Sequence, residues 1–323
     1  VTAVAYPVDT LVMSIGKETT EGVPVTPTHS VPVLSCTPVD SATPQRNTAW
    51  SGSAAATTGF GPGPQVGGIS LAGHVYADTI GYPLAGILGD VTTTTGTPNT
   101  HTISLNNAGA QQPPSDTIYC ADAYNCLVWA GVNYTSLSLT SDVLGTFDWS
   151  ASALCLPGAA VAAPSSNYTS AAMFGGWRGV VTIGGVADGR VISSSTVLSR
   201  TVAAQRPVTG QQLPARFRTE QLTVAGTITA AMTDDAYRLL YLAGSSTSVD
   251  VLFSQGSGAA TQSVRLHSSA VTLMSAVRSR GSRYLTVALT WEAAGSTADA
   301  GASGGTSPLR ATLRNTVGAG IYA

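Results

Sequence analysis

Ile69-Ser70-Leu71-Ala72-Gly73-His74-Val75 and Leu222-Thr223-Val224-Ala225-Gly226-Thr227-Ile228 are the two stretches that decide the fold. Each alternates apolar with polar residues, the period of a strand that buries one face. Ile69, Leu71, Gly73 and Val75 correspond in turn to Leu222, Val224, Gly226 and Ile228, so a glycine falls on the apolar face of both. A glycine there implies a bulge or a close approach of neighbouring backbone. After each strand comes a short helical segment that ends in glycine, 82–89 and 235–244. Thr233 or Asp234 can cap the second, and Gly244 can end it.

Outward from this pair the correspondence continues in the same order. Met13-Ser14-Ile15-Gly16 resembles Val181-Thr182-Ile183-Gly184, Leu137-Ser138-Leu139 resembles Val271-Thr272-Leu273, and Gly145-Thr146-Phe147 resembles Gly281-Ser282-Arg283. The spacing between partners shrinks along the chain, which places extra loop, such as 91–99, in the first copy. Strands are also expected at 180–183, 196–202, 248–253 and 284–291, and helical periodicity is nearly absent. The expected fold is mainly β, with two tandem β-sandwich modules that each carry one short flanking helix. Their expected bounds are 1–160 and 176–323, joined by a connector at 161–175 around Pro164-Ser165-Ser166. The tract 293–307 is rich in Gly, Ala and Ser and reads as a flexible arm leading to a C-terminal strand within 309–322.

Charged residues make up only 10% of the 323 and apolar ones 43%, which excludes a charge-driven disordered chain. No apolar run approaches the ~20 residues of a membrane-spanning helix, and residues 1–7 lack the basic and apolar segments of a secretory leader. With so little charge to oppose contact between apolar patches, assembly is expected. Charge is divided unevenly: ten acids and two bases up to Gly175, then seven acids and thirteen arginines, so −8 and +6 make the net −2. Unlike surfaces meeting across subunits would use this division, and Arg216, Arg218, Arg278, Arg280 and Arg283 are the candidates for inter-subunit charge pairing. Cys36, Cys120, Cys126 and Cys155 are too few to staple the chain and read as separate buried thiols, although 120 and 126 could pair by spacing.

Reaction chemistry is sparse. Gly301-Ala302-Ser303-Gly304-Gly305 is similar to the Gly-Asp-Ser-Gly-Gly setting of chymotrypsin-like serine proteases, and His29 lies upstream. Ala302 replaces the family's acid, however, and too little chain follows to complete that fold. His29, His74, His101 and His267 have no partner at metal-ligand spacing, and Asp234-Asp235 opens a helix where acids suit its dipole. No enzyme, metal or cofactor is expected.

Residues 15–28, Ile-Gly-Lys-Glu-Thr-Thr-Glu-Gly-Val-Pro-Val-Thr-Pro-Thr, resemble the start of major tail tube proteins of tailed bacteriophages, above all those of long non-contractile tails. So do Gly68-Ile69-Ser70-Leu71-Ala72-Gly73, Asp78-Thr79-Ile80-Gly81-Tyr82 and Leu84-Ala85-Gly86-Ile87-Leu88-Gly89. The resemblance implies a structural virion protein of the phage tail whose sheets join between subunits into a ring-shaped β-barrel, with rings stacked into a hollow tube. It implies itself as partner, in homotrimeric pseudo-hexameric rings or in hexamers, together with tape-measure and tail terminator proteins. It further implies viral DNA passing through the lumen without sequence-specific binding, assembly in the host cytoplasm, and no membrane. Ring-interface candidates are Ile69, Leu71, Gly73, Val75, Leu222, Val224, Gly226 and Ile228, and the loops 17–30 and 40–67 are candidates for reaching the next ring. Another β-rich virion or cell-surface assembly protein, such as a fibre, decoration protein or adhesin, is the competing expectation.

Overall fold

Strand pairing runs through nearly the whole chain in a computed structural model that describes residues 10–322 other than 28, 51, 53, 54, 209 and 281–284. In the first half, β1 (Val12–Lys17), β2 (His29–Ser30), β3 (Ser35–Ala42), β4 (Gln45–Asn47), β5 (Gly59–Gly61) and β6 (Gln65–His74) precede α1 (Gly81–Leu88). They are followed by β7 (Gly89–Thr94), β8 (Asn99–Leu105), β9 (Asp116–Ala121), β10 (Cys126–Asp142), β11 (Phe147–Cys155) and β12 (Ala159–Ala160). In the second half, β13 (Gly179–Ile183), β14 (Val186–Ala187), β15 (Val191–Gln205) and β16 (Arg216–Ala231) precede α2 (Ala236–Ala243). After it come β17 (Thr247–Gln255), β18 (Gln262–Ser279), β19 (Thr286–Ala293) and β20 (Arg310–Asn315).

Eight of these strands form one antiparallel run, β3-β6-β11-β10-β15-β16-β19-β18. The first four come from the first half and the last four from the second, in matching order. A further layer stands behind each set: β2-β1-β9-β10-β12 in the first half and β14-β13-β17-β18-β20 in the second, the latter extended by β8 and β7. The long strands β10 and β18 serve both layers. In β10 the change of layer falls at a register break between Trp129 and Val132, where Gly131 has φ +64°. A side chain at that φ is strained, and glycine is not.

Between the layers lies one continuous apolar core that draws on both halves. The rings of Phe147 and Phe253 stack at 4.0 Å between centroids across the halves, with Phe174 edge-on to Phe253. Helix α1 is buried on every side, whereas of α2 only Tyr237 is buried. Both helices end on a left-handed glycine, Gly89 at φ 96° and Gly244 at φ 58°. Asp234 accepts from the Ala236 N–H at 3.0 Å, while the cap position itself is Asp235.

One expectation about a loop needs correcting. The tract 293–307 is not a free arm: Asp299, fully buried, accepts from His267 and from the Ser269 N–H at 2.7 Å each, and Asn107 donates to the carbonyls of Gly304 and Thr306. Its glycines let chain pack closely, since a Cβ on Gly301 would meet Asp90 and one on Gly305 would meet Asn107. Gly and Ser give the same composition whether a segment is loose or tightly apposed, and here the hydrogen bonds decide. The segment after β1 likewise lies against its own half through buried Glu18 and a bond from the Val25 N–H to Thr117. Of the expected features, Arg283 and the 281–283 match lie outside the described residues, as do residues 1–9.

Candidate assembly interface

Cross-strand rows make the repeat visible at single-residue level. On the core side one row reads Cys36–Leu71–Ala151–Leu137–Leu198–Val224–Ala293–Val271 through all eight strands. The next reads Gly73–Trp149–Leu139–Thr196–Gly226–Trp291–Leu273. Each glycine faces a tryptophan. A Cβ on Gly73 would come within 3.1 Å of the Trp149 indole nitrogen, and one on Gly226 would collide with the Trp291 ring and the Ser195 carbonyl. The shared glycines of the sequence repeat therefore make room for a large ring flat against the sheet. The Trp149–Trp291 correspondence was not part of the sequence reading, although a glycine on an apolar face is the signal for such a ring on the next strand.

The opposite face of the run is small and polar. One row is Ser35–Ala72–Ser150–Ser138–Val197–Ala225–Glu292–Thr272, another Thr37–Ser70–Ser152–Ser136–Ser199–Thr223. A third is His74–Asp148–Thr140–Ser195–Thr227–Thr290–Ser275, with His74 bonded to Asp148 at 2.6 Å. These rows contain no lysine or arginine.

The run has two ends. Among the described residues, β3 pairs only with β6, and the stretch 272–279 of β18 only with β19. The ring-interface candidates read from sequence are elsewhere: β6 is flanked by β3 and β11, and β16 by β15 and β19. Ile69, Leu71, Val75, Val224 and Ile228 are core residues at 3% exposure or less, with Gly73 and Gly226 buried and Leu222 half-buried. They organise the sheet's interior rather than its border, because alternation reports which face is buried and says nothing of which edge is free. Large apolar side chains stand exposed at both true ends: Leu34 just before β3 and Val39 on it, Met274 and Val277 on β18. An open sheet edge of this kind is a template for another strand.

Between β10 and β15 the chain displays such a joint already made, with Leu137 opposite Leu198 and Ser138 opposite Val197. It is reinforced from a distance. The hairpin of β15 and β16 runs beyond the shared sheet and lies across the first half. There the Phe217 N–H donates to Glu21 at 2.6 Å, Thr219 exchanges bonds with Gln112, and Arg206 donates to the Gln65 carbonyl at 2.9 Å. Arg200, buried, donates to the carbonyls of Ile87, at the end of α1, and Glu220. Burial without an acid partner pulls its guanidinium pKa down to about 10.

Beneath this hairpin, Glu18 explains the 15–28 segment. Its carboxylate accepts from Ser115 Oγ (2.6 Å), Thr117 Oγ1 (2.8 Å), the Gly22 N–H (2.8 Å) and the Gly131 N–H (2.8 Å). One buried anion thus ties the loop after β1 to β9 and to the bend of β10, and it sets Glu21 beneath Phe217. Nearby, burial holds the Asp116 carboxyl well above the usual carboxylate range, against the opposing hydrogen bond from Tyr134 at 3.0 Å.

The arginine candidates separate. Arg278 forms an ion pair with Asp235 of its own chain, as does Arg238, because the end of β18 passes beside α2. Arg216 and Arg218 lie exposed on the outer part of β16, and Arg280 is exposed just past β18. Ser303 is engaged with Leu105, Asn107 and Asp90, and His29 bonds to Tyr82. Cys36 and Cys120 bring their sulfurs to 2.8 Å across the two layers; this contact and then burial push the Cys120 thiol up, and burial takes Cys155 up to about 12.

A family model described as phage tail tube protein matches residues 9–317. No curated protein matches the sequence.

Proposed function

This chain belongs to the phage tail tube protein family, and from that premise we propose that three copies close into a ring by pairing β3 of one with the end of β18 of the next. The observation that carries this is the β10–β15 joint, a worked example within the chain of the joint that its own two ends lack. Val271 stands where Leu137 stands, each opposite an alanine of the next strand, and Cys36 stands where Leu198 stands. The inter-chain register that follows is Thr272 opposite Ser35 and Leu273 opposite Leu34, beginning just past Val271, whose other side is taken by Thr247 of its own chain.

Three copies of an eight-strand run give about 24 strands, which at ~4.8 Å spacing close on a bore of at least roughly 37 Å between backbones. That leaves room, after side chains, for one nucleic-acid duplex; six copies would double it. The Ser, Thr and Ala rows then face the lumen, with Asp148 and Glu292 as their acids. These three rows, free of lysine and arginine, offer a phosphate backbone no counter-charge, so DNA passes along them without being held, and Arg216 and Arg218 continue the same face only on the prolonged hairpin. Two tandem modules in one chain, a virion location, stacking of rings into a tube, and contacts with tape-measure and terminator proteins at its ends complete this reading. The function is conduction and not turnover.

Cysteines introduced by Ser35→Cys and Thr272→Cys in one chain test the joint. Oxidation of assembled protein is expected to give covalent dimers and trimers, with none from dilute unassembled chain or from the wild type. Assembled rings that yield no cross-linked species would refute the pairing.

A further inference from the structure

The chain carries a second hairpin arm, in its first half. β3 and β6 are prolonged by β4 and β5, as β15 and β16 are prolonged over the first half. The first-half arm is the longer, and it presents Phe60 and Trp50 to solvent, Trp50 fully.

A matching receiver exists on the second half. By register Ile183 takes the place of Ile15, since Ile183 pairs with Val249 and Ile15 with Ile118 in equivalent strands. The turn after β13 is thus the counterpart of the 18–22 loop that holds Phe217. Between this turn and α2 lies a cleft of about 570 Å³ lined by Ile183, Val186, Tyr237 and Leu240 together with the Asp188–Arg190 ion pair. Where the first copy has Glu18 and Glu21, the same register places exposed Val186 and Gly189, and the turn's acid, Asp188, is held by Arg190. Beside it, Leu239 is 56% exposed and Leu242 62%, although their counterparts Leu84 and Ile87, counted back from Gly89 and Gly244, are at 0%.

Resting on the ring reading above, we propose that the aromatic-tipped arm 43–64 of a second copy lies over this cleft and the exposed face of α2 beside it, bringing Trp50 and Phe60 against Val186, Leu239 and Leu242 of its neighbour in the same ring. The occupant follows from continuity: one arm already crosses from the second half onto the first, and closing the ring brings the first half's arm to the preceding chain's second half in the same relation. The exposed Val186, Leu239 and Leu242 match the aromatic arm, as the acidic receiver matches the Phe217 N–H.

Two measurements on the full chain test this. In a Trp177→Phe background, which removes the other exposed indole, Trp50 emission is expected to shift to the blue as single rings form. The pair Trp50→Ser with Phe60→Ser is expected to raise the protein concentration needed for ring formation about tenfold or more. Leu239→Glu is expected to do the same, with recovery when Phe60→Lys is added. Rings forming at the wild-type concentration in the double serine variant, or Trp50 emission shifting only when rings stack, would overturn arm docking and leave the ring standing. A wild-type chain that forms no rings would overturn both.

Discussion

Glu18→Ala is expected to lower the melting temperature by roughly 5–15 °C, on the order of 3–6 kcal/mol, as followed by thermal unfolding of the unassembled chain. The side chain is 5% exposed and accepts from four donors. Alanine leaves all four without an acceptor, and each unsatisfied buried donor costs about 1–3 kcal/mol. The two hydroxyls can turn to other acceptors, but the N–H groups of Gly22 and Gly131 are fixed by backbone. Glu18→Gln keeps one oxygen and points an amide N–H₂ at existing donors, so an intermediate loss is expected. Because Glu18 also sets Glu21 under Phe217, proteolysis of the 206–215 loop should quicken in the alanine variant. An unchanged melting temperature would mean that water satisfies these groups equally well.

Gly226→Ala is expected to cost more than Gly73→Ala, about 3 kcal/mol or more against about 1, although the two glycines are counterparts. At Gly226 the added methyl collides with the Ser195 carbonyl, which is backbone of a paired strand, and with the Trp291 ring at once. At Gly73 the nearest atoms, the Pro32 carbonyl oxygen and the Trp149 nitrogen, are 3.0 and 3.1 Å away, so shifts of a few tenths of an ångström suffice. Chemical denaturation of both variants decides it; equal losses would show that the Gly226 sheet yields as easily as that around Gly73.

Much of the fold was legible because a strand's period is local. The paired stretches around Leu71 and Val224, both helices with their terminal glycines, and the order of the repeat followed from alternation and capping. Strand neighbours were not legible. β6 and β16 stood out in sequence as the best repeat, yet adjacency is a tertiary property, and both proved interior while the plainer β3 and β18 hold the ends. The same limit applied to Cys36 and Cys120, 84 positions apart and in contact across the layers. Arg278 read as a charge for another subunit because nothing in its surroundings along the chain reveals Asp235, 43 residues earlier. Nor does the sequence around Glu18 reveal that its carboxylate is buried and gathers three segments around one loop.

Most direct of all is the number of chains in one ring, counted by native mass spectrometry of isolated rings and by cryo-electron microscopy of the tube. Three are expected, with the strands of β3 and β18 running unbroken from copy to copy and the serine and threonine rows facing the bore. Six chains per ring, or copies that meet without joining those two edges, would contradict the edge-to-edge ring.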